Sequence, residues 1–428
     1  MNATDLLELT AATVTPAAIR QAVNAWLDAN WSPDLPLRVW RQRLIDGGWA
    51  APQWPATDLG RGFNQEQAGV VADVFFERGA VGAAQTGPRR LAAETILAHG
   101  NADQKQRFLR PILSGEHAWC QLFSEPGSGS DLAGASTRAE LVNGRWLVNG
   151  QKVWTTSAHH ADYGILVART DWDLPKHQGL SYFLLNMRQP GVEVRPLRQM
   201  NGHASFNEVF MTDAEIPAAD LLGGLGNGWA VAATTLSFER RSFAQGRTST
   251  VAAGPRTGLA HAEYAAELAI DNEPYTWYPQ RQGRVDLVMA RARQTGAIKD
   301  PEVRQEIARL LSMHQAAALA SASAEATRKA GTNEVIPAGS IAKLAASVIA
   351  RQAAHVHTMI SGADAMLAGP DSAEQGMIAE TLISVPAISI AGGTDEIQRN
   401  IIAERVLGMP KEMRADTGPF RNIKRNAS

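Results

Sequence analysis

The sequence has a single cysteine, Cys120, among 428 residues. Intramolecular disulfides are thereby excluded, and so are metal sites built on several thiolates; no metal is expected. Cys120 sits in the apolar run Ala118-Trp119-Cys120-Gln121-Leu122-Phe123, which points to a buried structural thiol rather than a nucleophile. A basic excess is missing too: 41 Lys and Arg stand against 43 Asp and Glu, for a net charge of −2. Nucleic-acid and membrane-surface binders need a marked positive balance, so neither partner is expected. No uninterrupted apolar stretch approaches the ~20 residues that span a bilayer. Asp5 and Glu8 precede the first basic residue, Arg20, a start unlike a signal peptide. The expectation is a cytoplasmic enzyme in a reducing compartment.

What is present is a globular composition, 45% hydrophobic and 20% charged, in a chain too long for one compact unit. Between Thr15 and Asn30, Ile19, Val23, Trp26 and Leu27 recur at helical spacing, and Pro16 suits a first helical turn. Gly47-Gly48-Trp49-Ala50-Ala51-Pro52 breaks this into a loop. Helix returns at 66–78, 91–98 and 103–113. Near Trp119 the pattern becomes short alternating runs. Val142 to Gly150 carries an Asn-Gly pair at each end, a hairpin signal, and 163–168, 182–186 and 192–195 read as further strands. From Gly228 the chain is helical again, with long, Ala-rich, amphipathic helices expected at 302–329 and 340–367. A last helix is expected from Thr394 to Leu407, capped by Thr394 and stopped by Gly408 and Pro410. The stretch 254–283, with Tyr264, Tyr275, Trp277 and Tyr278, reads as a long irregular connection. The fold class is therefore α+β, mainly α, with three expected domains: helical 1–117, β 118–226 and helical 227–428. Gly223 to Gly228 is glycine-rich, but its spacing is not G-x-G-x-x-G and no βαβ unit surrounds it, so a dinucleotide-binding fold is excluded.

Five motifs carry the chemistry. Phe123-Ser124-Glu125-Pro126-Gly127-Ser128-Gly129-Ser130-Asp131 is followed by Asn149-Gly150-Gln151-Lys152-Val153-Trp154-Thr155-Thr156-Ser157-Ala158. Phe206-Asn207-Glu208-Val209-Phe210 and Leu221-Leu222-Gly223 through Gly228-Trp229 come next, and Gly392-Gly393-Thr394-Asp395-Glu396-Ile397-Gln398-Arg399-Asn400 closes the set. In order and spacing this set resembles the acyl-CoA dehydrogenase family from about Trp49 to Met409. The resemblance implies an N-terminal helical domain, a central β domain and a C-terminal four-helix bundle. It also implies FAD between the β domain and the bundle, with a neighbouring subunit completing the site, hence a homodimer or tetramer.

The residue types suit those roles. Two glycines and two serines between Glu125 and Asp131 let backbone amides and hydroxyls approach a polar ligand. The resemblance assigns Phe123, Ser124, Gly129 and Ser130 to the flavin, and Ser130 also to the acyl-CoA. Trp154, Thr155 and Thr156 match the strand that packs on the isoalloxazine ring; read alone, a Trp in an alternating strand is core. Thr394, Glu396 and Gln398 stand at a helix N-terminus, where anions are favoured, and Thr394 also reads as a plain cap. Arg291 and Arg293 are the candidates for the arginine that contacts the partner's FAD. Gly362 lies in a segment that matches the family's glycine-rich interface loop only in part.

Removing an α proton next to a thioester needs donors for the enolate-like oxygen and a carboxylate in a dry site. Many family members carry that base directly before the Gly-Thr of the last motif, where this chain has Gly392. Its amide, with Gly393, can still polarise a carbonyl. Other branches carry the base on the first helix after the β domain, directly before an Arg, and Leu236-Ser237-Phe238-Glu239-Arg240 stands there. Glu239 is thus the expected base and Arg240 a substrate contact. His159 and His160 read as loop residues. The expected reaction is α,β-dehydrogenation of an acyl-CoA, with electron-transfer flavoprotein as acceptor. The alternatives are an acyl-CoA oxidase or flavin monooxygenase of the same fold, and an incomplete subunit of a heteromeric enzyme.

Overall fold

The computed structural model describes residues 14–85, 87–244, 253–329, 338–413 and 416–423. Five helices come first: α1 (Pro16–Asn30), α2 (Leu37–Asp46), α3 (Gln65–Glu77), α4 (Gly87–His99) and α5 (Ala102–Ser114). Their starts are written in the sequence. Thr15 accepts a hydrogen bond from the Ala18 amide above Pro16, and Asn64–Gln67 and Asn101–Gln104 form reciprocal capping boxes. The inward faces, with Trp40, Leu44, Ile96 and Phe108, share one buried core. Helix α2 has no counterpart among the expected elements, because Arg41 interrupts the apolar stripe of Leu37, Trp40, Leu44 and Ile45; Arg41 is nevertheless buried.

Eight strands follow: β1 (Trp119–Leu122), β2 (Arg138–Val142), β3 (Arg145–Thr156), β4 (Tyr163–Arg169), β5 (Leu180–Asn186), β6 (Val192–Leu197), β7 (Phe206–Pro217) and β8 (Leu221–Leu222). The sheet runs β6-β7-β3-β2-β4-β5-β8, with β1 parallel to β4. Strands β4 and β5 are apolar on both faces at most positions because both faces are covered. Ile165, Val167, Leu180, Tyr182 and Leu184 join the core of the N-terminal helices, while Leu166, Ala168, Phe183 and Leu185 fill the core inside the β domain. Cys120 is buried in that inner core, and burial raises its thiol far above the ordinary range. Asn143–Gly144 turns between β2 and β3 with φ of 51° and 78°, as a hairpin of two left-handed residues requires. The second pair, Asn149–Gly150, is not a turn. It lies inside β3 at a register shift, where a Cβ on residue 150 would stand 2.8 Å from the Cα of Thr137. Glycine is needed there for close approach.

Helix α6 (Gly228–Ala244) leads into the C-terminal part. It packs against α4: Thr95 meets Thr235 at 2.9 Å, His99 meets Thr234 at 2.9 Å, and the Tyr182 hydroxyl from β5 meets Thr235 at 3.0 Å. The segment 254–283 departs from the expected irregular connection. It contains α7 (Leu259–Asn272), a 3-10 turn at Glu273–Tyr275 and the short helix α8 (Tyr278–Arg281). Three acidic residues spaced four apart fix α7 to the first domain. Glu263 accepts from the Leu37 amide at 2.6 Å, Glu267 pairs with Arg41 at 2.5 Å, and Asp271 pairs with Arg89 at 2.5 Å.

Helices α9 (Val285–Thr295), α10 (Pro301–Lys329) and α11 (Ala338–Ser361) pack around Val288, Ile307, Leu310, Ile349 and Val356. Two expectations are corrected here. α10 is amphipathic only in its first part: beyond Leu310 it is mostly exposed, Leu319 to 60%. α11 ends at Ser361 rather than near 367, because Gly362 turns to φ 53° and a 3-10 turn takes over. The chain then forms α12 (Met377–Ser384) and α13 (Asp395–Arg405), with Thr394 capping α13 through the Ile397 amide as expected. Among the described residues no helix is long and apolar enough to cross a membrane.

Candidate active site

The loop after β1 is built on a buried ion pair. Glu125 and Lys152 meet at 2.8 Å with side chains 5% and 0% exposed. Glu125 also accepts from the Ser136 amide (2.7 Å), the Ser136 hydroxyl (2.9 Å) and the Thr137 amide (2.9 Å). Burial works against its charge, but Lys152 and these donors prevail and hold the carboxyl down to about 2. Lys152 gives a second hydrogen bond to the Phe123 carbonyl at 2.9 Å, and burial pulls its ammonium below the usual lysine range against Glu125. This clamp escaped the sequence reading, although both residues are in the quoted motifs. The available signal was two opposite charges within otherwise apolar strand ends.

With Glu125 fixed, the turn above it is displayed. Glu125 and Ser128 exchange backbone hydrogen bonds, and the Ser128 hydroxyl donates to the Asp131 carbonyl at 2.6 Å. Phe123 is buried against Tyr182 and Ser124 is half-buried, its carbonyl accepting from the Val153 amide at 2.9 Å. Gly129 and Ser130 are exposed, and a Cβ on Gly127 or Gly129 would meet nothing within 4 Å. The turn therefore presents amides and a hydroxyl to open space.

Across β3, Trp154 adopts φ 62° at a bulge between Lys152 and Thr155. The bulge turns the indole outward, leaving Trp154 56% exposed. Thr155 is buried, and its hydroxyl has no partner among the described residues; Thr156 is half-buried. Asn207 steadies the bulge by donating to the Thr155 carbonyl at 3.0 Å. His159 and His160 are exposed in the following turn, rings 4.0 Å apart.

An aromatic row leads away from Trp154. Phe206 lies 5.7 Å from it, Trp277 6.2 Å from Phe206, Tyr278 5.1 Å from Trp277 and Tyr275 4.9 Å from Tyr278, each nearly perpendicular to the last. Glu239 on α6 is half-buried near the far end. Burial raises both phenols above the usual tyrosine range, and the Glu239 charge adds to it. Two of the aromatic residues of 254–283, Tyr275 and Tyr278, thus lie within electrostatic reach of the expected base. The side chain of Arg240 lies outside the described residues.

The remaining candidates form two groups. Gly392 and Gly393 turn with φ of 68° and 86°, and the buried Gln398 amide donates to the Gly392 carbonyl at 3.1 Å, its own oxygen having no hydrogen-bond partner among the described residues. Asp395 anchors this corner to α11 through Lys343 and Arg351, both at 3.1 Å, while Glu396 is exposed and pairs with Arg399. Arg291 is buried at the opposite end of α11, donating to the Ser361 hydroxyl at 2.6 Å, with Asp364 and Glu374 4.0 and 3.9 Å away. Gly362 is its neighbour, and Arg293 is exposed. Eighteen residues of α11 separate Lys343 from Ser361, roughly 27 Å of helix. Within one chain Arg291 and Gly362 are therefore not brought to the Thr394 corner.

Three family models match: the acyl-CoA dehydrogenase N-terminal domain over residues 4–116, the middle domain over 120–214 and the C-terminal domain over 281–407. The acyl-CoA dehydrogenase IpdE1 of Mycobacterium tuberculosis is 35% identical over 378 residues, 88% of each chain. The chain belongs to the acyl-CoA dehydrogenase family. As an acyl-CoA dehydrogenase family member it is an oxidoreductase. FadE34 of the same organism is 34% identical over 382 residues, but this chain spans only 47% of that relative's length. The structure of the ChsE4-ChsE5 complex from M. tuberculosis shares the fold, with a TM-score of 0.59 at 23% identity over 94% of this chain and all of that one. The three family models leave residues 215–280 unmatched, the segment with Glu239 and α7.

Proposed function

We propose that the chain is an FAD-dependent acyl-CoA dehydrogenase in which Glu239 removes the α proton of an acyl-CoA thioester. The observation that carries this reading is the half-buried Glu239, whose charge acts on two half-buried tyrosines at one end of an aromatic row whose other end is the exposed Trp154. Gly392 offers no carboxylate, so the base falls to α6. Trp154 offers a flat ring face, Thr155 an unsatisfied hydroxyl, and the Gly127–Ser130 turn open amides, a set that fits a flavin. FAD supplies the two-electron acceptor for the β hydrogen. Glu239 takes the α proton on its carboxylate, and the Gly392–Gly393 amides polarise the thioester carbonyl while Gln398 holds their loop. Thr394 and the start of α13 favour an anionic group, and Ser130 and Arg240 contact the acyl-CoA. Electron-transfer flavoprotein is the expected acceptor.

Replacing Glu239 with Gln should leave a yellow protein whose flavin acyl-CoA reduces about 100- to 10,000-fold more slowly. Anaerobic titration with straight-chain, branched and ring-bearing acyl-CoAs reads this directly. Retained bleaching in the variant would remove Glu239 from the mechanism. A second reading, a subunit that completes its site with a different chain, is favoured by Arg291. Its guanidinium is turned into its own chain, where Nε donates to Ser361 and Asp364 and Glu374 stand 4.0 and 3.9 Å away, while Nη2 is buried without a hydrogen-bond partner among the described residues. Less than one FAD per purified chain, restored to full occupancy by a partner, would support it.

A further inference from the structure

We propose that residues 416–423 form a clasp on the β domain, and that Phe420 within it positions the Gly127–Asp131 turn through Arg169. The segment lies beyond the family models, the last of which stops at residue 407. Residues 405–413 are exposed, as are 417–419 and 421–422, yet Phe420 is 1% exposed. A large buried aromatic flanked by exposed residues anchors its segment. Backbone contacts seat it. The Phe420 amide donates to the Leu174 carbonyl and the Arg421 amide to the Trp172 carbonyl, both at 3.0 Å, and a β-bridge joins Pro175 to Pro419. Ion pairs flank the anchor, Arg421 with Asp173 at 2.5 Å and Asp416 with Lys176.

What the anchor covers is Arg169, the last residue of β4, which is fully buried. The Phe420 ring centroid lies 3.4 Å from the guanidinium carbon. The edges of the same guanidinium donate to three carbonyls: Nη2 to Ala133 at 2.7 Å, Nε to Ala135 at 3.0 Å and Nη1 to Lys176 at 3.1 Å. The face is thus given to the aromatic ring and the edges to the backbone, a division that the planar arginine head allows. Ala133 and Ala135 continue the chain from Asp131, whose carboxylate accepts from the Lys176 ammonium at 2.8 and 2.9 Å. Glu125 grips the next two residues, Ser136 and Thr137. The clasp therefore touches both cations, Arg169 and Lys176, that hold the far end of the turn. Removing the ring opens the guanidinium face to water, which competes with the carbonyls for the same N–H groups. A loosened turn must then be ordered by whatever binds to it, at a loss of affinity.

Phe420→Leu keeps an apolar side chain of moderate size but removes the ring face. Hydrogen exchange of the full chain should show amides of 127–136 exchanging about three- to thirtyfold faster, the scale of one desolvated cation–π contact. Amides of β7 (206–216), in the same sheet but outside the clasp, should stay within about twofold. Phe420→Ala should give at least the same local rise. Unchanged exchange at 127–136 in Phe420→Leu, or a rise shared equally by β7, would overturn the inference, since packing alone predicts one or the other. The consequence for the ligand rests on the proposed place of the turn in the FAD site. FAD should leave Phe420→Leu about three- to tenfold faster, followed by the return of flavin fluorescence. Faster local exchange with unchanged FAD release would uphold the clasp and overturn the assignment of the turn to the flavin.

Discussion

Replacing Lys152 with Met would remove one half of the clamp under the Glu125–Asp131 turn. Lys152 is fully buried, so no water can take its place, and Glu125 would keep its charge among three remaining donors. Breaking a buried pair in this way costs about 3–5 kcal/mol. For a cooperative unit of domain size that lowers the melting temperature by on the order of 10 °C. The double variant Glu125→Gln/Lys152→Met removes both charges and should recover much of the loss. The pH dependence has a defined sign. Glu125 is held at about 2 against an ordinary 4.5, so its contribution is complete above 4.5 and disappears as the pH falls toward 2. That difference corresponds to about 3 kcal/mol. Calorimetric melting of the unmodified chain, Lys152→Met, Glu125→Gln and the double variant between about pH 2 and 7 measures all of this. If the double variant melts as low as Lys152→Met, or if Glu125→Gln leaves the acid limb unchanged, the clamp does not act as described.

Trp154→Ala should lower FAD affinity by about two- to tenfold, the worth of one aromatic contact. The melting temperature of the flavin-free protein should hardly move, since the ring is mostly outside the core; a large loss of stability would show that Trp154 is core after all. Cys120 should resist thiol reagents until the β domain unfolds, because it is buried and burial raises its pKa; rapid labelling of the folded chain would contradict this.

The elements legible in the sequence are those whose cause is local. The Asn143–Gly144 hairpin, the Thr394 cap and the Pro16 start each depend on neighbours within four residues. The order helical, β, helical followed from periodicity for the same reason. Helix α7 was missed because its determinants are distant: Glu267 meets Arg41, 226 positions away. The Asn149–Gly150 pair misled because the same dipeptide serves a turn and a close approach, and only the position of Thr137 separates them. α10 was read as amphipathic along its whole length, but only its first part has helices packed on it. At the candidate site, the ordered motifs name Trp154, Glu239 and the Gly392–Gln398 corner as expected residues. The Glu125–Lys152 pair became visible only through a contact across the fold.

The left-handed conformation of Trp154 is set by the fold itself. A non-glycine residue at φ 62° costs about 1–2 kcal/mol wherever it occurs. Here it is held by the β3–β7 ladder and by Asn207, both part of the folded chain before anything binds. The conformational entropy of presenting that ring is therefore settled during folding. A planar ligand that docks on it meets a surface already in its final shape, and its association is governed by diffusion and desolvation rather than by the time the loop takes to organise.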